Sequence, residues 1–178
     1  MKYVGKFGFQ SKYGPCDEAA LAAFESTLPE GRLPDEYKAF LREWNGGEFD
    51  LELAREGDAY KFIGFSIIGD DFDGDANDAG LVDFLVGLFD PESIDDLRKG
   101  SHAHGFRDAV PSSYLSIGRS NLTTSQVCLS VAGPDFGAVY YWGGEPWPDE
   151  PSPTTDYLFP VAADFAAFWD RIQIVVQD

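Results

Sequence analysis

Residues 33–47, LPDEYKAFLREWNGG, carry the strongest local signal in the chain. Pro34 stands near the first helical position, where its missing N–H costs little, and the two acidic residues after it suit the positive end of a helix dipole. Apolar side chains then follow at helical spacing, at Tyr37, Phe40, Leu41 and Trp44. The Asn-Gly-Gly at 45–47 can take the left-handed conformation that ends helices. The segment predicts a helix over residues 34–45.

Helical patterns also lie on either side of this segment. Asp17 is a predicted N-cap, and the helix after it carries Leu21, Phe24 and Leu28 on one face before Pro29-Glu30-Gly31 ends it. Residues 90–92, Asp-Pro-Glu, predict the start of a short helix that Gly100 stops. Residues 164–175 predict a terminal helix, with apolar residues at Phe165, Phe168, Trp169, Ile172 and Val175.

Strand patterns fill the middle of the chain. The residues 126–131 and 138–142 predict a hairpin around the turn at 133–137, and residues 110–118 lead into a strand before it. Further strands are predicted at 2–9, at 49–53 and at 62–68, whereas 81–89 fits either helix or strand. The composition of 69–80 and the Pro-rich 143–156 predicts loops. This order predicts one α+β domain over residues 1–178, with helices packed on a mainly antiparallel or mixed sheet.

Composition limits what the protein can bind. The chain has 178 residues with 13 Lys and Arg against 31 Asp and Glu, a net charge of −18. Such a charge argues against nucleic-acid and anionic-membrane binding and suits a basic partner. No apolar run is long enough to span a membrane, and no signal-peptide core is visible at the N-terminus. Cys16 and Cys128 are therefore expected to be free thiols in the cytoplasm.

The order of several short motifs resembles the SUKH superfamily, the Smi–Knr type domain, over about residues 17–175. The matching segments are 33–37 (LPDEY) with 45–47 (NGG), 110–118 (VPSSYLSIG), 128–129 (CL), 137–142 (GAVYYW) and 164–168 (DFAAF). The acidic insert at 69–80 and the N-terminal extension 1–16 depart from the family pattern, so the resemblance implies nothing about them.

The resemblance implies a function that composition alone does not show. Bacterial members resemble immunity proteins that bind and block a cognate toxin, often a nuclease, of polymorphic or contact-dependent systems. Fungal relatives are regulators of cell-wall synthesis with many protein contacts. The family shares no catalytic residues, so the resemblance assigns none here. It implies a non-enzymatic protein-binding module with no cofactor, whose partner is a basic toxin domain; the alternative is a regulatory or scaffold protein of the same fold.

The acidic loop is the first candidate partner-binding segment. It holds five carboxylates without a positive charge: Asp70, Asp71, Asp73, Asp75 and Asp78. Three of them match positions 1, 3 and 5 of a calcium-binding EF-hand loop, but Ala76 replaces the required Gly and Val82 the required Glu. Besides calcium binding, two interpretations stay open: a decoy for the basic groove of a nuclease, and a solvated loop that aids solubility.

The second candidate is the Pro-rich loop, which holds Glu145, Trp147, Asp149 and Glu150. A Trp within a charged rim suits an interface anchor, although it could equally cover the sheet edge. Ser101-His102-Ala103-His104 fits surface histidines, because no Cys or well-placed carboxylate accompanies it; no metal site is predicted. Neither Ser101 nor Ser112 stands in a nucleophile elbow.

Overall fold

The computed structural model describes residues 2–11, 13–50, 60–68, 79–93, 96–100, 109–121, 123–143 and 153–177. Within them the helices are α1 (Glu18–Glu25), α2 (Asp35–Glu43), α3 (Leu97–Gly100) and α4 (Phe165–Arg171). The strands are β1 (Gly47–Glu48), β2 (Tyr60–Ser66), β3 (Ala79–Leu81), β4 (Phe84–Leu85), β5 (Tyr114–Arg119), β6 (Gln126–Ser130), β7 (Val139–Trp142), β8 (Leu158–Ala162) and β9 (Gln173–Gln177). A six-stranded sheet has the order β1-β4-β5-β6-β7-β8, and a three-stranded sheet the order β3-β2-β9. All these strand pairs are antiparallel, which confirms the predicted α+β class.

The first two helices form as their sequences predict. The Asp17 carboxylate accepts a hydrogen bond from the Ala19 N–H at 2.8 Å and caps α1, which ends at Glu25 and continues in turns. The helix α2 begins at Asp35, one residue after the predicted start, so that Pro34 is its N-cap. A proline fits this position because no helical hydrogen bond needs its missing N–H. The predicted stripe of α2 faces the core, since its first three members are buried and Trp44 packs against them.

The turn after α2 explains why it contains glycine. Asn45 and Gly46 take φ values of +52° and +78°, the left-handed region that glycine and asparagine tolerate best. A Cβ on Gly46 would lie 2.7 Å from the backbone N of Gly87, and a Cβ on Gly87 would lie 1.9 Å from the carbonyl O of Asn45. Backbone therefore packs directly on backbone here, and the turn is locked against the end of β4.

An aromatic cluster joins the two ends of the chain. The Tyr3 ring meets those of Phe40, Phe165 and Trp169 edge-on, with centroids 5.6–5.8 Å apart. The Tyr3 hydroxyl donates to the Glu36 carbonyl at 2.7 Å. The N-terminal residues thus complete the same core that α2 and α4 build.

The hairpin of β6 and β7 is confirmed, with Val127 opposite Tyr141 and Leu129 opposite Val139. These side chains belong to the main core. Alternate residues point to the other face, where Cys128 packs with Trp142 in a smaller cluster. The six-stranded sheet is therefore buried on both faces along this hairpin.

Two sequence predictions near the N-terminus and after β2 are wrong. Residues 2–9 form no strand, and Gln10 makes only an isolated bridge to Glu48, because the apolar residues there serve the aromatic cluster instead. The loop predicted over 69–80 extends too far, since residues 79–81 form β3 and pair with β2. The Ala and Gly at 79 and 80 have low strand propensity, so the sequence did not predict β3; it forms because it pairs with β2.

Two predicted helices are also wrong in extent. The residues after Asp90 form a turn in which its carboxylate accepts from the Glu92 N–H at 2.9 Å, and the helix starts only at Leu97. The terminal helix ends at Arg171, and residues 173–177 form β9. Apolar residues at 172 and 175 satisfy helical and strand burial alike, so periodicity could not separate the two.

Candidate protein-binding surface

The nine partner-binding residues predicted from the sequence lie outside the described residues, as do His102 and His104. The structure therefore leaves these predictions untested. It does describe the points at which the two predicted segments join the fold. The parts of the two predicted loops that lie outside the described residues are the acidic segment between Ile68 and Ala79 and the Pro-rich segment between Gly143 and Pro153.

The negative charge is unevenly divided along the chain. The described residues contain ten Lys and Arg and seventeen Asp and Glu, which leaves a net charge of −7. The remaining −11 of the total −18 belongs to the other residues, three Lys and Arg against fourteen Asp and Glu. The excess charge is thus concentrated in segments that include the two candidate loops.

Many carboxylates of the described fold already have internal partners. Arg42 holds Glu18 through two hydrogen bonds of 2.6 and 2.9 Å, and these keep the pKa of that carboxyl below its usual value. Burial alone would raise the pKa of Asp96, but hydrogen bonds from the Arg98 guanidinium at 2.6 and 2.7 Å and from backbone N–H groups lower it. Such carboxylates organise the fold.

The two candidate loops join the fold on opposite sides of one strand, β8. The Ile68 N–H donates to the Pro160 carbonyl at 2.8 Å, so the residue that precedes the acidic loop is bonded to β8. The Gly143 N–H donates to the Tyr157 carbonyl at 3.2 Å, so the first residue of the Pro-rich loop is bonded to the residue just before the same strand. Segments far apart in sequence are thereby attached to one edge of the six-stranded sheet.

Large apolar side chains are exposed at this edge. Ile68, Tyr157 and Phe159 expose 48%, 40% and 41% of their surface, and we call these three residues the β8 surface. Exposed aromatic and aliphatic side chains next to charged segments are typical of protein interfaces, where an apolar centre is surrounded by a polar rim. Sequence analysis missed β8, although apolar residues around Pro160 are compatible with an edge strand.

A groove of about 690 Å³ lies between α1, α3 and the start of β5. Its lining is largely apolar and includes Ala20, Ala23, Phe24, Leu28, Val110 and Leu115. Two side chains of the lining that could bind or transfer protons, Arg98 and Tyr114, already make hydrogen bonds within the fold. Arg98 binds Asp96, and the Tyr114 hydroxyl donates to Asp135 at 3.0 Å. The groove can accept apolar groups, but these side chains are not poised for acid–base chemistry.

The described residues show no arrangement typical of a catalytic or metal site. No group of three or more His, Cys, Asp or Glu among them could hold a metal ion. Burial raises the pKa of both thiols, at Cys16 and at Cys128, so neither is activated as a nucleophile. No helix in the described part of the chain is long and apolar enough to cross a membrane.

Fold and surface together define a class, an α+β module without a recognisable reaction centre in its described residues, with exposed apolar side chains near the strand β8 at which two acidic segments of the sequence join the fold. The comparison with protein families gives the particular family. The sequence model of the SMI1 / KNR4 family (SUKH-1) matches residues 15–171, so the chain belongs to that family. No curated protein matches the chain. Family membership fits an immunity-protein-like module with a protein partner.

Proposed function

We propose that this chain is a non-enzymatic immunity protein of the cytoplasm that binds and neutralises a basic toxin domain, for example a nuclease, of a bacterial polymorphic or contact-dependent system. The single observation that carries the proposal is the SUKH-1 match over residues 15–171. The charge of −18 supports a basic partner and disfavours nucleic acid and anionic membranes as ligands.

The distribution of charge supports a specific arrangement of the interface. A domain that cuts nucleic acid needs Lys and Arg to hold phosphates, and carboxylates compete for the same cations. Five Asp of residues 70–78 follow Ile68, which is bonded to β8, and three acids of residues 145–150 follow Gly143, which is bonded to the residue just before β8. In the proposed complex these carboxylates contact the basic groove, Trp147 supplies an aromatic anchor, and the β8 surface packs beside them.

The first experiment isolates the partner with the full chain as bait. A lysate of the native cell is applied at moderate salt and again at high salt. One basic polypeptide, retained stoichiometrically and released as salt screens the charges, is the expected result. Its activity should be blocked by an equimolar amount of the bait. A set of unrelated proteins would favour the regulatory or scaffold role instead.

Charge reversal then tests the acidic segment. The variant Asp71→Lys/Asp73→Lys/Asp75→Lys should slow association and weaken protection, because steering depends on the local field. A control variant makes the same charge change at Asp35, Glu92 and Asp170, whose side chains are 95%, 85% and 84% exposed. Equal protection by the two variants would contradict the proposal that the acidic segment contacts the toxin.

A further inference from the structure

The strand β9 ends the three-stranded sheet and has an unusual composition for an edge. It pairs with β2 over five residues, and no other described strand pairs with it. Its sequence, QIVVQ at 173–177, contains no charge and no proline, and Ile174 exposes 38% of its surface. Natural edge strands usually carry Lys, Pro or a bulge that prevents pairing with another chain. These protective features are absent from β9.

The hydrogen-bond pattern shows which backbone groups point outward. The Val82 N–H donates to the Ile63 carbonyl at 3.0 Å, so the N–H and C=O of Ile63 point toward β3. Ile63 lies opposite Ile174, and Lys61 lies opposite Val176. Since alternate residues of a strand point to opposite sides, both pairs are non-hydrogen-bonded, and the N–H and C=O groups of Ile174 and Val176 point away from β2.

We propose that β9 pairs antiparallel with β9 of a second copy of this chain. The sequence Gln-Ile-Val-Val-Gln is nearly palindromic, so a two-fold axis at Val175 sets Ile174 opposite Val176 and Gln173 opposite Gln177. The outward groups of Ile174 and Val176 then form four backbone hydrogen bonds across the axis. The two three-stranded sheets become one continuous six-stranded sheet, and no charged side chains oppose each other along the strand.

Electrostatics oppose this pairing only at long range. Each copy carries a net charge of −18, which repels the other. Near β9, however, the described charged side chains include Lys61 on the neighbouring strand and Arg171 beside Asp170 at the end of α4. Salt screens the long-range repulsion while leaving backbone hydrogen bonds in place. Self-association should therefore strengthen with salt, whereas the proposed toxin complex should weaken.

Sedimentation equilibrium of the full chain tests the pairing. The wild-type mass should rise with concentration from 19.6 kDa toward twice that value, and more so at high salt. Ile174→Pro removes the outward N–H alone, which an edge strand tolerates, and should raise the dimer dissociation constant about tenfold or more. Ile174→Lys should act similarly, whereas Val4→Lys adds the same charge at a position that is 71% exposed and should not.

Amide exchange locates the contact. The Val176 N–H should exchange more slowly in concentrated wild-type protein than in dilute protein. In folded Ile174→Lys its exchange rate should be the same at both concentrations. Circular dichroism establishes that each variant is folded. A mass of 19.6 kDa up to about 1 mM, where even weak dimers form, would overturn the proposal. A dimer that both Ile174 variants leave unchanged would also overturn it, because the contact would then lie elsewhere.

Discussion

Asn45→Gly should strongly destabilise the protein, because the Asn45 side chain joins α2 to the segment after β4. Its amide donates to the Leu88 carbonyl at 3.0 Å, and its oxygen accepts from the Leu88 N–H at 2.8 Å. Asn45 is only 1% exposed, so water cannot replace the lost bonds without a rearrangement. Each buried group left without a partner costs about 1–3 kcal/mol, which gives about 2–6 kcal/mol for both.

The choice of glycine separates the hydrogen bonds from the backbone conformation. Gly tolerates the φ of +52°, so Asn45→Gly isolates the loss of the two bonds. Asn45→Ala loses the same bonds and also holds a Cβ in the left-handed region, which costs about 1–2 kcal/mol. Alanine should therefore be at least as destabilising as glycine. Asn45→Asp keeps an acceptor for the Leu88 N–H but sets a carboxylate against the Leu88 carbonyl.

Urea unfolding at equilibrium, followed by tryptophan fluorescence and by circular dichroism, gives the free energies of unfolding. Coincident transitions show that a two-state analysis is valid. For a chain of this length each kcal/mol should lower the melting temperature by about 2–4 °C. An Asn45→Gly variant within about 0.5 kcal/mol of wild type would refute the reasoning, because it would show that the Asn45–Leu88 bonds contribute nothing net.

Two further predictions concern backbone packing and a partly buried tyrosine. Gly87→Ala should prevent folding or cost several kcal/mol, because the added Cβ would lie 1.9 Å from the Asn45 carbonyl O. The control Gly5→Ala should be tolerated, because its Cβ would lie 3.4 Å from the nearest atom. Equal melting temperatures for the two variants would contradict this prediction. Burial and the hydrogen bond to Asp135 raise the pKa of Tyr114 to about 12. The stability that this tyrosine contributes should therefore be complete below about pH 10 and fall as the pH rises toward 12, and Tyr114→Phe should remove that part of the decline in urea titrations across this range.

Local signals predicted much of the helical framework. The predicted cap at Asp17 forms as a side-chain hydrogen bond of 2.8 Å to the first turn of α1. Asp164, where the terminal helix was predicted to begin, caps α4 with a bond of the same length. The hairpin of β6 and β7 also formed in the predicted place, because a short turn between two apolar runs specifies its own partner. The helix before the Asn-Gly-Gly turn was right to within two residues at its end.

The candidate site could not be read from the sequence in the same way. The sequence displayed the acidic and Pro-rich segments as separate features, about 70 residues apart. Their attachment to one strand became visible only through the bonds of Ile68 to Pro160 and of Gly143 to Tyr157. The β8 surface was missed because exposure depends on neighbours from β2 and β7, and no local pattern contains that information.

The amino-acid sequence by itself determined the family, the net charge, the α+β class and those elements whose caps, turns and periodicity lie within a few residues of each other. The tertiary structure alone decided that residues 173–177 extend as β9, that Tyr3 joins the aromatic core, and that Gly87 must lack a Cβ. In each case the deciding contact connects residues far apart in the chain: β9 pairs with β2, Tyr3 packs on Trp169, and Gly87 meets Asn45. Their energy exists only once the chain has folded, so local sequence patterns do not report it.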